Sequence, residues 1–537
     1  MSIATTSVDS LGPPGPPVHA RWLPAVEVVA IFLVFAAQAA WPVPDVNEPH
    51  YLGKARHYWN PAWAPRDFFF ESADTHLLFY VACGWLTRWL TLPQFAWFGR
   101  LITWFLLAWA WRRLSWRLAP RPGWAVVTAL MFLAINVGGQ LAGEWVVGGF
   151  EAKGLAYVLV FTSLHAYLDG RWNTALVWAG AASAVHVLVG GWFAVALGLC
   201  WLMSADRPPL RRLWPGLLGG FALSLVGVWP ALALNRGVEP QTIAEANDIY
   251  VFGRLRHHLL PQAFGWAALA RYLAMLIGWL VVVRVNPIIG RQSPRWHSAQ
   301  NDAECPLGRL RRLVVATLAI SLAGLMIAVA TAERPEWAAA FLRYYWFRLG
   351  DVMPPLGIAL SAGACGARLA RSRGLRLAGC IALTLVLAAA SRQEYAISGL
   401  FRQVPRGDRP PKVVDYADWR DACEWISRHT PDDALVITPR TAQTFTWYAG
   451  RGEVASWKDL PQDAAAIVEW WRRLEEIHGT RLPEVRGRWH ESLTELPAAR
   501  LRRLAEKYGA GYLLTEAGPR LPLPLVYSNH SYAVYQF

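Results

Sequence analysis

Leu213–Asn235 and Leu313–Thr331 run without a single charged side chain, and Ala30–Trp41 forms the heart of a third such stretch. About twenty apolar residues rise about 30 Å as a helix, which matches the hydrocarbon thickness of a bilayer. Lipid offers nothing to an exposed backbone N–H or C=O, so stretches of this kind must be helical. The composition agrees, with 54% hydrophobic and only 17% charged residues and a mean hydropathy of +0.23. The expected fold class is therefore a polytopic α-helical membrane protein rather than a soluble enzyme.

The formal charge of +14 comes mostly from arginines at the ends of apolar segments. Such residues set orientation in a membrane and do not form a groove for a phosphodiester backbone, so no nucleic-acid partner is expected. Many of the 31 tryptophans lie near predicted span ends, where an amphipathic ring settles at the headgroup level. The six cysteines show no CxxC spacing, which excludes a disulfide framework and a zinc site as sequence readings. Residues 1–21, with Gly12-Pro13-Pro14-Gly15-Pro16-Pro17, read as a disordered cytoplasmic tail ahead of an uncleaved anchor.

Orientation follows from the basic residues. With a first span at 22–42, the loop 43–75 lies outside, and the next choice is whether 76–92 crosses. If it does, Arg112, Arg113, Arg117 and Arg121 fall outside, against the bias of short loops. A helix lying along the outer interface over 76–92 returns them to the cytoplasm. Spans are then predicted at 95–115, 124–142, 153–168, 174–189, 190–204, 213–234, 265–284, 312–331, 349–369 and 376–391, about 11 crossings in all. The break between the fifth and sixth of these crossings is placed near Gly190-Gly191. The transmembrane part is assigned to 22–391 and a soluble α/β domain on the outer face to 392–537. That domain is expected to hold helices at Asp418–His429 and Asp463–Glu476, and strands at Ala434–Thr438, Gly511–Leu514 and Ser531–Phe537.

The outer loops carry the chemistry. Asp45-Val46-Asn47-Glu48-Pro49-His50-Tyr51 places two carboxylates and an imidazole beside the first span, and Lys54, Arg56, His57, Asp67, Glu71, Asp74 and His76 follow. A partly desolvated carboxylate becomes a competent general base, so Glu48 is the expected catalytic base, with Asp45 and His50 tuning it. The bland alternative is a helix start, with Pro49 at its first position. A second loop, Gly139 to Lys153, offers Glu144 and Glu151 between glycines. These two, with His186 inside an apolar stretch, are the expected acceptor-pocket residues. Arg254, Arg256 and His257 in the loop 235–264, with Arg343 and Arg348 at a later helix end, form a group suited to a phosphate. Solvated or ion-paired arginines, with Glu333, Glu336 or Asp351 as partners, are the plain alternative.

This layout resembles the GT-C superfamily of membrane glycosyltransferases, which includes protein O-mannosyltransferases and aminoarabinose transferases. The likeness rests on the acidic motif Asn47-Glu48-Pro49-His50-Tyr51 in the first outer loop, the interfacial segment after it, and the second acidic loop after the third span. The resemblance implies a polyprenyl-phosphate-linked sugar as donor, bound at the outer leaflet among membrane lipid, with a first-loop carboxylate deprotonating the acceptor. Where the mannosyltransferases carry consecutive Asp-Glu, this chain has Asn47-Glu48, so the base role passes to Glu48 or Asp45. No cofactor is called for, and the altered acids weigh against a divalent metal held between the loops. Two rival readings use the same residues: a transporter of a lipid-linked saccharide, and a non-catalytic assembly protein of the cell envelope. The absence of a repeated half and the gathering of charge at one face speak against the transporter.

Overall fold

The computed structural model describes residues 18–291, 305–369, 402–480 and 489–537. The expected span 376–391, the boundary at 391, Arg295, Arg371, Arg373, Arg376 and Cys380 lie outside the described residues.

Helices occupy the predicted spans closely. They include Val18–Ala39, Leu92–Leu118, Trp124–Gly138, Ala152–Leu168, Trp172–Val185, Val187–Met203, Leu210–Ala233, Trp266–Arg291, Pro306–Ala330 and Met353–Leu369. Four helices are long and apolar enough to cross a membrane: the first, the one at 210–233, the start of that at 266–291, and the one at 306–330. Their outward faces are strongly apolar, with Trp214, Phe221, Leu232, Trp266, Leu273, Met326 and Val329 all exposed. A water-facing surface rarely carries so much contiguous apolar area, whereas lipid accepts it. Leu92–Leu118 is longer still but carries Arg100, Arg112, Arg113 and Arg117, and Trp124–Gly138 is short.

The break between the two helices at 172–203 falls at His186 rather than at Gly190-Gly191. His186 is extended (φ −147°, ψ 101°), and its Nδ1 accepts from Val189 N at 3.4 Å, so the histidine both ends one helix and caps the next. Gly190 has a different task. A Cβ there would stand 2.0 Å from Ser183 N, so the glycine lets the second helix fold back against the first.

The segment 43–75 spends most of its ionisable side chains on its own folding. Buried Lys54 donates to Phe69 O (3.0 Å), Ser72 O (2.8 Å) and Ser72 Oγ (3.0 Å), and lies 3.6 Å from Asp74. His57 Nδ1 donates to Trp63 O at 2.9 Å, and its other nitrogen faces Glu71 at 3.4 Å. Asp67 caps the short helix Phe68–Glu71 by accepting from Phe70 N at 3.0 Å. Residues 76–92 form a helix at Leu77–Gly84 with a single tight turn after it, packed on the helix Glu48–Trp59.

The C-terminal part is a five-stranded sheet of order β2-β1-β3-β5-β4, with β1 at Leu435–Ile437, β2 at Gly452–Glu453, β3 at Tyr512–Glu516, β4 at Leu525–Ser528 and β5 at Tyr532–Gln536. The strands β2, β1 and β3 pair in parallel, while β5 runs antiparallel to β3 and β4. Helices Tyr416–His429, Ala464–His478 and Ala498–Tyr508 flank it. β2, β4 and the last of these helices are additions to the sequence reading. Leu501, Leu504 and Ala505 bury the inner face of that helix. Strands as short as β2 leave almost no period-2 signal to read.

The sheet is tied to the first loop by a buried pair of carboxyl groups. Asp67 Oδ2 accepts from Glu453 N (3.1 Å) and Thr446 Oγ1 (3.3 Å), while Glu453 Oε2 accepts from Thr438 Oγ1 (2.8 Å). Burial, reinforced by repulsion between the two and from Asp459, raises both carboxyl groups. The folded protein thus keeps a proton that the unfolded chain has already released. Stability must fall as pH rises above the ordinary carboxyl value of 4.5 and go on falling until the folded pair gives up its proton. Glu453→Gln, a neutral copy of the protonated form, is expected to melt higher than the parent at about pH 8 and to match it at about pH 5. Melting curves of the two proteins that stay parallel across that range would show that the pair does not hold the proton.

Candidate functional site

The second loop is shaped by one acid. Asp351, in the tight turn before Met353–Leu369, accepts from the backbone N–H groups of Leu141 (2.8 Å), Ala142 (2.9 Å) and Glu144 (3.1 Å). Gly143 supplies the left-handed turn this requires, at φ +72°. The clamp aims Glu144 inward, where its Oε2 lies 3.2 Å from Arg348 and 3.7 Å from Lys153, and its Oε1 accepts from Tyr157 OH at 3.0 Å. Glu151 lies on the other side of Lys153, at 3.4 Å, and accepts from Asn47 Nδ2 at 2.9 Å.

Asn47, Glu144, Glu151, Lys153 and Arg348 line a cavity of about 170 Å³, together with His50, Tyr51, His186, Arg254, His258, Tyr345 and Lys458. It is smaller than the roughly 300–1,000 Å³ typical of drug-sized ligands and suits one compact polar group. Four cations, Lys153, Arg254, Arg348 and Lys458, face two carboxylates, Glu144 and Glu151. Arg348 stacks over Tyr345 with 4.0 Å between guanidinium and ring centre. Its buried Nε makes no aligned hydrogen bond in the described residues, even with Glu144 alongside. Arg254 donates to Trp457 O at 2.8 Å and lies over that ring, which aims it from the far wall.

Lys458 enters from the C-terminal part, in the loop between β2 and the helix Ala464–His478. Burial, with Arg254 and Lys412 nearby, brings its ammonium down to about 7. Since only the protonated form attracts an anion, affinity is expected to weaken as pH rises through that value. Sulfate keeps its charge over this range, so calorimetric titration with sulfate at about pH 6 and pH 8 carries no titration of the ligand itself, and the comparison with a lysine variant isolates Lys458. Lys458→Met should bind more weakly at the lower pH and lose the dependence; an unchanged pH profile in that variant would discount the lysine.

The structure corrects the reading of Glu48. Its carboxylate is 1% exposed and receives Arg100 Nε and Nη2 at 2.7 Å each, Asp45 N at 2.7 Å and Phe150 N at 2.8 Å. Every acceptor direction is taken and none faces the cavity, so Glu48 cannot serve as its base. Gly149 permits the approach, because a Cβ there would meet Glu48 Oε1 at 3.0 Å and Asp45 Cβ at 2.7 Å. Asp45 is likewise outside the cavity, accepting from Val46 N (2.7 Å) and Gly149 N (3.0 Å) and facing Arg406 at 3.4 Å. Burial alone would raise this carboxyl, but Arg406, Arg100 and the two amides outweigh it and hold it below its ordinary value.

His50 does line the cavity. Its Nδ1 faces Asp459 Oδ1 at 3.1 Å and its ring stacks on Phe69. Burial lowers the imidazole and Asp459 only partly opposes this, so the ring is neutral near pH 7. Of the expected phosphate ligands, Arg254 and Arg348 reach the cavity and three do not. Arg256 and His257 are exposed, and Arg343 is engaged with Asn247 Oδ1 beside Tyr250. The plain alternative holds for Arg256 and His257, which are solvated, and in part for Arg348, which is ion-paired, though with Glu144 and not with Asp351. Lys153, Lys458, Asp351 and Arg100 are the residues that sequence reasoning left without a site role. A lysine two residues from an acid, Glu151-Ala152-Lys153, was the one local signal available.

A divalent cation does not fit here. Lys153 occupies the space between Glu144 and Glu151, and no group of three metal-ligating side chains occurs among the described residues.

Residues 417–477 match a domain family described as a domain of unknown function (DUF6798). The matched stretch includes β1, β2 and the loop that carries Lys458, Leu460 and Gln462 into the cavity. No curated protein matches the chain.

Proposed function

We propose that this chain is a membrane glycosyltransferase of GT-C type that moves a sugar from a polyprenyl-phosphate donor to an acceptor. The observation that carries the reading is the meeting of Glu144 and Glu151 with Arg254, Arg348, Lys153 and Lys458 in one cavity beside a bundle with lipid-facing helices. In the proposed reaction an acceptor hydroxyl attacks the anomeric carbon as its proton passes to Glu151. The bond from that carbon to the phosphate oxygen breaks, and the phosphate departs with the electron pair. Arg348, Arg254 and Lys458 offset the charge it gains.

Glu151 takes the base role in place of Glu48 because it stands beside Asn47, the position where the resembling mannosyltransferases carry their first acid. Glu144, held by Arg348 and Tyr157, is a positioning residue. The same reading sets the number of crossings at about 11, with the cavity and the C-terminal part on the outer face of a bacterial inner membrane and the N-terminus in the cytoplasm. Arg112, Arg113 and Arg117 gather at the opposite end of Leu92–Leu118 from Arg100 and the cavity, which supports that orientation.

A second reading is favoured by two contacts: Glu151 is already paired with Lys153 and accepts from Asn47, as in a protein that binds a lipid-linked saccharide without transferring it. An assay in native membranes with labelled polyprenyl-phosphate sugars separates the two. Transfer by the intact protein and its loss in Glu151→Gln supports the enzyme. Retention of the donor with no transfer by either protein supports the binder.

A further inference from the structure

A second, larger cavity of about 480 Å³ adjoins the first and shares Gly143, Trp145 and His258 with it. Gln38, Trp41, Gln140, Arg271 and Arg406 complete its polar and aromatic lining. Unlike its neighbour it has cations and no carboxylate in its wall. It therefore has the means to bind an anion and no acid with which to activate one.

Three observations describe what would fill it. Gln38 Oε1 and Trp145 Nε1 are buried with no hydrogen-bond partner among the described residues, an acceptor and a donor left for a ligand. Among the described residues Arg271 donates its Nε to Gly138 O at 3.0 Å, and it is otherwise exposed. The Arg406 guanidinium lies over Trp41 and Trp145, at 5.5 and 5.8 Å from the ring centres, and touches Asp45 at 3.4 Å. The cavity also sits at a defined level. Gln38 and Trp41 are at the end of Val18–Ala39, and Arg271 is in the second turn of Trp266–Arg291, two of the helices apolar enough to cross a membrane. Leu33, Leu273 and Ile277 leave the flanks of those helices apolar and exposed. Arginine and tryptophan at the ends of apolar helices occupy the headgroup layer, where lipid phosphates lie.

We propose that this cavity binds the phosphoryl headgroup of an anionic membrane lipid, with the tail along the exposed faces of the two helices. Arg271 and Arg406 take the phosphoryl oxygens, and Gln38 and Trp145 take the polar part of the headgroup. Resting on the reading of the first cavity as the donor site, this lipid is the acceptor, and two amphiphiles meet across Trp145 and His258.

The test uses the full-length protein in nanodiscs of phosphatidylcholine doped with phosphatidylglycerol or with a polyprenyl phosphate, and counts retained lipids by native mass spectrometry. Arg271→Gln combined with Arg406→Gln is expected to reduce retained phosphatidylglycerol about tenfold, a loss of about 1.4 kcal/mol, and to spare the polyprenyl phosphate. Arg348→Gln is expected to do the reverse. Trp145→Phe removes the unpartnered N–H together with part of the ring under Arg406, and gives a second variant should the double one fold poorly. If both sets of variants release the same single lipid, the two cavities are one donor site and the proposal falls. If millimolar inorganic phosphate empties the second cavity as readily as lipid fills it, the ligand is free phosphate and the lipid assignment falls. If Arg348→Gln leaves the polyprenyl phosphate in place while the double variant loses phosphatidylglycerol, the lipid site stands and the donor reading fails instead.

Discussion

Arg100→Met is expected to lower stability by about 3–5 kcal/mol, the largest effect of any single replacement considered for this protein. The guanidinium is fully buried, donates two hydrogen bonds of 2.7 Å to Glu48 and a third, of 2.5 Å, to Trp41 O. Its removal strands a carboxylate that is 1% exposed. Glu48→Gln strands the arginine instead and is expected to be nearly as damaging. The double replacement Glu48→Met with Arg100→Met removes both charges and should recover much of the loss, because a buried pair offsets a desolvation penalty that the apolar pair never incurs. Melting temperatures of the four purified proteins in one detergent measure this. A single Arg100→Met variant as stable as its parent would mean that the carboxylate finds water or another partner, and the pair would lose its structural role. The pair matters to the site because Glu48 also binds Phe150 N and Asp45 N, and so sets the loop that carries Glu151.

Glu151→Gln is expected to lower the turnover of sugar transfer by about 10²–10⁴-fold, the usual contribution of a positioned general base. Gln retains an oxygen for Asn47 Nδ2, and Lys153, which loses its pair with Glu151, keeps Glu144 at 3.7 Å, so the loss of stability should be smaller than for Glu48→Gln. The contrast with Glu48→Gln is the informative part. Activity lost through Glu48 should track the melting temperature and return at lower assay temperature, whereas activity lost through Glu151 should not. Glu151→Asp keeps the charge with a shorter reach and should recover part of the rate. His50→Gln gives the remaining comparison, since the His50–Asp459 pair also borders the cavity. A rate collapse at His50 with a near-normal Glu151→Gln would transfer the base role to the imidazole.

The helices were legible because their signal is local. Leu213–Asn235 and Leu313–Thr331 have to be helical in lipid whatever surrounds them, and the helices Leu210–Ala233 and Pro306–Ala330 contain nearly all of both stretches. The amphipathic pattern of Asp463–Glu476 likewise marked the helix Ala464–His478. The site was legible only as an inventory. Glu144, Glu151, His50, His186, Arg254 and Arg348 were expected and do line one cavity, but nothing nearby in sequence distinguishes Arg254 from Arg256. Which of the two faces inward is decided by the irregular turn Ile249–Arg254, which presents Arg254 to Trp457 and leaves Arg256 outside.

What the amino-acid order determined by itself is a set of long apolar helices with ionisable side chains gathered in the segments between them, because hydrophobic length acts through the solvent and needs no partner. What tertiary structure alone decided is the role of each ionisable group. Glu48 and Glu151 are both acids that stand at helix starts, yet Arg100 on the next long helix buries one, while Asn47 and Lys153 hold the other at the cavity wall. Lys458 reaches the same wall from the far end of the chain. A carboxylate becomes structural or reactive according to the charges and donors within a few ångströms of it, and those neighbours are assembled only when the chain has folded.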